Sequence, residues 1–330
     1  FLCLHPLGSL MILGWTQRRA AAKTLSYWHD AAGSAAVIPM PVWFAGGAGS
    51  AGWRRWLGGL RENMAVGIAT AFNALILILP ASTLMLFAWW GGWENSFNKG
   101  YEQAWIGPSV SLFGIAWFIP AAIYVIFAQG RQAVAGWRGF FDWGLNLRLM
   151  FSRPWQIGVL AVLAAFGALP YTFLRMLPFF FPDSIAAFET MSLEQQQDLA
   201  LQYSWGTLIY LVAIGLILRQ LAARCYGAEY LHCLQQGTVS INDLRPKEQA
   251  ALQALNLHQV SLQPPPRWWW RVILGFSHRV QSVVFVIGAM AAWFGVIAQL
   301  YIAQFANHAW VLWLNHPLVS FAWVPVPPVQ

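Results

Sequence analysis

Charge is what this chain has least of. Of its 330 residues only 9% are Asp, Glu, Lys or Arg, while 58% are hydrophobic. Soluble domains carry about 25% charged residues, and a water-soluble core cannot hide this much apolar surface. Cysteine is scarce too. Cys3, Cys225 and Cys233 are the three in the sequence, and all fall on the side read below as cytoplasmic, so no disulfide framework is expected. Catalytic and nucleotide signatures are missing: there is no GxxxxGK[ST], HExxH, GxSxG or paired CxxC. The short glycine string Gly46-Gly47-Ala48-Gly49 lacks the strand before and helix after that would give it meaning.

What is present is apolar length. Met64 to Trp90 carries no charge, with Arg54, Arg55 and Arg61 just before it and Glu94 the first charge beyond. As a helix it would be about 40 Å long, enough to cross a hydrocarbon layer of about 30 Å with tilt. Similar stretches predict spans at about 64–90, 109–129, 157–177, 203–221 and 282–303. The expected fold is an all-α integral membrane protein: a five-span transmembrane helix bundle, N-terminus in and C-terminus out, with in-plane amphipathic interfacial helices. The 21 Trp and 22 Phe suit headgroup-level belts.

The orientation comes from charge. In this topology all but two of the 19 Lys and Arg fall on one side, Lys99 and Arg175 being the exceptions, while the 12 acidic residues divide evenly. That is the positive-inside pattern, which makes the basic face cytoplasmic and the membrane a bacterial-type inner (plasma) membrane. Anionic headgroups account for the basic excess, so the expected partners are the lipid bilayer and other membrane subunits, with no nucleic acid.

The chain forms one polytopic domain, 1–330. Residues 1–63 are a cytoplasmic or interfacial segment: Phe1 to Trp15 is too short to span and lies along the interface or packs on the bundle, and Ala31 to Gly52 is broken by Pro39 and Pro41. Residues 131–153 and 268–280 are expected as in-plane helices. In the first, Arg131, Arg138, Asp142 and Arg153 share one polar face at 100° per residue, and Arg138 can pair with Asp142 at i,i+4. Ser192 with Gln195 is a capping box, expected to open one short helix in the outer loop. Residues 222–271 form a cytoplasmic loop with a helix from Pro246 to about Leu257, and 304–330 an extracytoplasmic tail dense in proline.

Candidate chemistry is sparse. None of the predicted spans holds Asp, Glu, Lys or His near its middle, which counts against proton-coupled transport and intramembrane acid–base catalysis. Pro80, Pro120 and Pro170 lie within spans, where proline is tolerated if neighbours satisfy the freed backbone. Asn73 is expected to make an inter-helix hydrogen bond. The most specific cluster is Cys225, Glu229, His232 and Cys233, metal-ligand residue types within about 100° on one helical face. Four ligands leaving one helix in one direction cannot surround an ion, so no metal is expected unless a second element, such as His258, completes the set. No cofactor is predicted. His278, His308 and His316 are the remaining pigment or haem positions.

Three function classes follow. The first is a non-catalytic accessory or scaffold subunit of a larger membrane assembly, of which an energy-transducing or photosynthetic complex is one type. The second is a transporter or channel for an uncharged or lipid-like substrate, with the prolines as hinges. The third is a membrane enzyme working through Cys225, Glu229 and His232.

Overall fold

The computed structural model describes residues 6–32, 52–87, 106–180 and 190–257, and then 276, 279–280, 282–284 and 286–293. Among these residues there are helices and short turns and no strand. The elements are α1 (Pro6–Ala32), α2 (Gly52–Phe87), α3 (Ile106–Ala135), a 3-10 turn (Trp137–Phe141), α4 (Trp143–Ser152), α5 (Pro154–Phe180), α6 (Leu193–Gln235), a second 3-10 turn (Ile241–Asp243) and α7 (Pro246–Ala254). A shorter apolar helix, α8 (Ser282–Trp293), follows.

Three helices contain stretches long and apolar enough to cross a membrane: Gly58–Leu84 in α2, Leu112–Ala135 in α3 and Trp205–Gln235 in α6. A fourth arises if α4 and α5 are taken together, although the chain bends by 98° between them. The cause of that bend is local. Pro154 disfavours a helical conformation at the residue before it, and Arg153 adopts φ −139° and ψ 70°. The predicted span at 157–177 therefore lies within α5, and the one at 282–303 is described only as far as Trp293.

Four expectations from the sequence are narrowed or corrected. Residues 6–32 are one helix, continuous through Gln17, Arg18 and Arg19, which packs into the bundle and buries Ala20, Leu25 and Trp28. Its side-chain bonds reach α3, where Gln17 donates to the Gln129 carbonyl at 2.5 Å, and α6, where Thr24 and Trp28 donate to the carbonyls of Ala223 and Gly227. Second, residues 131–153 are not one in-plane helix. α3 runs on to Ala135, and Gly136, at φ 86°, closes it by donating its N–H to the Gln132 carbonyl at 2.9 Å. Such a left-handed residue after the last helical turn favours glycine. Third, Arg138 does not pair with Asp142, because the helix that would bring them together is broken; Arg138 lies over the Trp137 ring instead. Fourth, the Ser192–Gln195 capping box is present, but the helix it opens continues without a break to Gln235. At about 1.5 Å per residue this single helix is roughly 64 Å long.

Helix contacts in the bundle use small residues. A Cβ added at Gly14 would overlap the Asn63 carbonyl, and one at Gly67 would overlap that of Leu10, so α1 and α2 cross with backbones nearly touching. Gly130 brings α3 close to the Ala222 carbonyl of α6, though less tightly. Close approach through glycine and alanine is the usual way for helices to associate where apolar solvent removes the hydrophobic drive. The outward faces are apolar: Ile68, Phe72, Ile76 and Leu79 form an exposed stripe along α2. Pro80 deprives the Ile76 carbonyl of its helical donor, and in the next residue the Leu77 carbonyl receives the Trp117 indole N–H at 2.8 Å.

Candidate functional site

Polar side chains gather where α3 ends, and Arg131 is their centre. It is fully buried, as is Glu248 of α7. The guanidinium meets that carboxylate in a fork: Nε lies 3.0 Å from Oε1 and Nη2 3.1 Å from Oε2. Nη2 also lies 3.0 Å from Asp142 Oδ2. Nη1 donates to Asn146 Oδ1 at 3.2 Å and to the Gly139 carbonyl at 3.4 Å. All five N–H donors of the arginine are thus engaged. Glu248 is equally saturated, since Oε1 also accepts from the Tyr226 hydroxyl and Oε2 from the Arg245 backbone N–H at 2.9 Å.

A second shell of bonds holds these groups in place. Asn146 donates to the Tyr124 hydroxyl at 2.8 Å and to the carbonyls of Gly139 and Phe140, both at 3.1 Å. Tyr124 donates to the Phe140 carbonyl and stacks on Trp143 with ring centroids 4.6 Å apart. Asp142 pairs with Arg245. Burial raises the Asp142 carboxyl, but the hydrogen bond from Arg245 and the Arg131 charge outweigh it and hold it below its ordinary value of 3.8. The node joins α3, the first 3-10 turn, α4, α6 and α7. With every donor of Arg131 and every acceptor site of Glu248 in use, the two residues clasp these elements together.

The Cys225–Cys233 face of α6 lies nearby, against the junction of α4 and α5. Glu229 is fully buried, and its Oε2 lies 2.6 Å from Ser152 Oγ, which is also 2.7 Å from the Leu149 carbonyl. His232 Nδ1 accepts from Arg153 at 2.6 Å. Cys225 is half-buried and Cys233 buried, both as free thiols. Arg153 thus takes up Nδ1 of the histidine. Among the described residues no three His, Cys, Asp or Glu side chains come together as metal donors. His258, His278, His308, His316 and Cys3 lie outside the described residues, as do Pro39, Pro41 and the Gly46–Gly49 string.

Asn73 is buried and donates to the Trp137 carbonyl at 2.9 Å, so it ties α2 to the turn after α3. Its Oδ1, like Gln17 Oε1, Gln132 Oε1 and Glu229 Oε1, is enclosed without a hydrogen-bond partner.

Sequence reasoning missed the node as a unit. In the sequence Arg131 reads as part of the polar face of an in-plane helix, and Glu248 is explained locally as the third residue of a helix that begins at Pro246. The visible signal was Asn146, a lone amide between Leu145, Leu149 and Met150 on the buried face of α4. No family model, curated protein or solved structure matches this chain.

Proposed function

We propose that the protein is a multi-pass inner-membrane protein of five spans, N-terminus in and C-terminus out, and serves as a non-catalytic accessory or scaffold subunit of a larger membrane assembly. The observation that carries this reading is how little of α6 its own chain covers. In the most apolar window of each helix, 61% is buried for α3 and 44% for α2, but 22% for α6. A long apolar helix of which so little is fully enclosed by its own chain, with Ile209, Ala213 and Ile217 exposed along one side, is a surface for neighbouring helices or lipid.

The buried polar groups support the same reading, because Arg131, Glu248, Asn146 and Tyr226 are spent on holding helices together. For the enzyme alternative, Glu229 and His232 are engaged by Ser152 and Arg153. For the transport alternative, Pro80, Pro120 and Pro170 stand at exposed positions of helices that run on through them, which adds nothing to a hinge role.

Purification in mild detergent tests the role: a stoichiometric membrane partner is the expected result, and a monodisperse monomer or symmetric dimer would favour a transporter or channel. Reporter fusions after Gln235 and after Gln330 test the topology. They should report opposite sides, the first cytoplasmic; the same side for both would remove the five-span arrangement together with its charge argument.

A further inference from the structure

The break at Gly136 and Asp142 changes which residues of this segment face outward. Of the charges that a single helix over 131–153 would have aligned, Arg131 and Asp142 turn into the clasp and Arg153 bonds His232. What remains exposed is Trp137 and Arg138 on the 3-10 turn, and Trp143, Leu147, Arg148 and Phe151 on α4. Trp143, Leu147 and Phe151 follow one another at one-turn spacing, and Phe151 is 71% exposed. Both outward charges are positive, because the segment's one acid, Asp142, is held by Arg131 and Arg245. The α4 axis lies 98° from that of α5, so if α5 crosses a bilayer, α4 lies parallel to its surface.

We infer that this face is a docking surface for anionic phospholipid, with Trp143, Leu147 and Phe151 seated at the boundary of headgroups and acyl chains and Arg138 and Arg148 on lipid phosphates. The inference rests on the membrane reading above. A short helix presenting aromatic and aliphatic residues one turn apart, flanked only by cations, matches the interfacial layer of an acidic membrane in both polarity and charge. Water would leave the apolar row unsatisfied. Arginine also suits the task through its planar fork of donors, which matches phosphate oxygens.

The test uses the full chain in lipid nanodiscs, with Cys3, Cys225 and Cys233 replaced and spin labels placed at Leu147→Cys and Phe151→Cys. Leu79→Cys, on the exposed stripe of α2 two residues past the carbonyl that Trp117 of mid-α3 bonds, is the control. Labels at 147 and 151 should be relaxed more by oxygen than by a water-soluble nickel chelate, at a shallower depth than the label at 79. Separately, the Arg138→Gln/Arg148→Gln protein should lose enrichment of phosphatidylglycerol over phosphatidylcholine among co-purified lipids, by about fivefold per arginine. Nickel accessibility equal to that of an aqueous site would overturn the inference. So would shielding from both reagents, which would mark a protein partner on this face, or unchanged lipid enrichment in the double variant. If the label at 79 also fails to report a bilayer, the membrane reading falls first and this inference falls with it.

Discussion

The shaft of the bundle and its clasped end use opposite rules. Along the shaft, α1, α2, α3 and α6 touch through Gly14, Gly67, Gly130 and Ala222, while Phe72, Ile76 and Phe113 face outward. At the end of α3 the arrangement resembles a water-soluble protein: an arginine and a glutamate are fully enclosed, and the short elements around them close a core of Phe140, Leu149 and Leu252. The difference teaches where each force acts. Close backbone contact stabilises helices whose surroundings are apolar anyway. Where the chain must stop and turn back, free backbone carbonyls and charges appear, and a saturated polar node takes them up.

Removing the centre of the clasp should have the largest effect. Arg131→Met leaves Glu248 buried beside Tyr226 without its cation, and such a loss typically costs about 3–5 kcal/mol. Chemical unfolding in detergent should show it, with early proteolysis within 236–257. Adding Glu248→Leu should recover part of the loss, since replacing both charges by apolar groups is often close to neutral. A full-size loss in the double variant would mean that the remaining partners, Asp142 and Asn146, carry the clasp.

The shaft is broken by volume instead. Gly67→Val forces α1 and α2 apart and should cost about 1–3 kcal/mol or more. Gly58→Ala, nine residues earlier on the same helix and with open space around it, should be neutral or gain up to about 1 kcal/mol from helix propensity. Equal effects at the two positions would deny that the close crossing matters.

Asn73 belongs to both regions, because it sits on α2 and bonds the turn after α3. Asn73→Ala should cost about 1 kcal/mol and leave any flux across reconstituted vesicles unchanged. Proton-driven uptake that depends on Asn73 would overturn the accessory role.

Acid should loosen the clasp and spare the shaft. Asp142 has its folded-state value below 3.8, so its contribution is present above that pH and fades as pH falls through the lower folded value. The effect is small: the side chains of Asp142 and Arg245 are 20% and 40% exposed, and partly exposed pairs contribute about 1 kcal/mol or less. Asp142→Asn should flatten the acid dependence of proteolysis in 236–257 below pH 3.8. The smallest expected effect is on metal content. Chelator-washed protein should carry no zinc or iron, and Cys225→Ala with His232→Ala should change nothing. Near-stoichiometric metal lost in that variant would reverse this.

The amino-acid sequence by itself determined the helical class, the apolar stretches now seen in α2, α3 and α6, the capping box at Ser192 and the helix start at Pro246, because these follow from local composition and spacing. It left α1 undecided between the interface and the bundle, since Gln17, Arg18 and Arg19 cut the apolar run short when read alone; in the bundle Gln17 bonds the Gln129 carbonyl and Arg18 pairs with Glu62 at 3.2 Å. It also misplaced the polar face of 131–153, because periodicity assumes an unbroken helix and Gly136 breaks this one. The partnership of Arg131 with Glu248, 117 positions apart, was decided by tertiary structure alone. Burying a charge is tolerable only when an opposite charge reaches it in the right geometry, and no local pattern specifies which distant residue that will be.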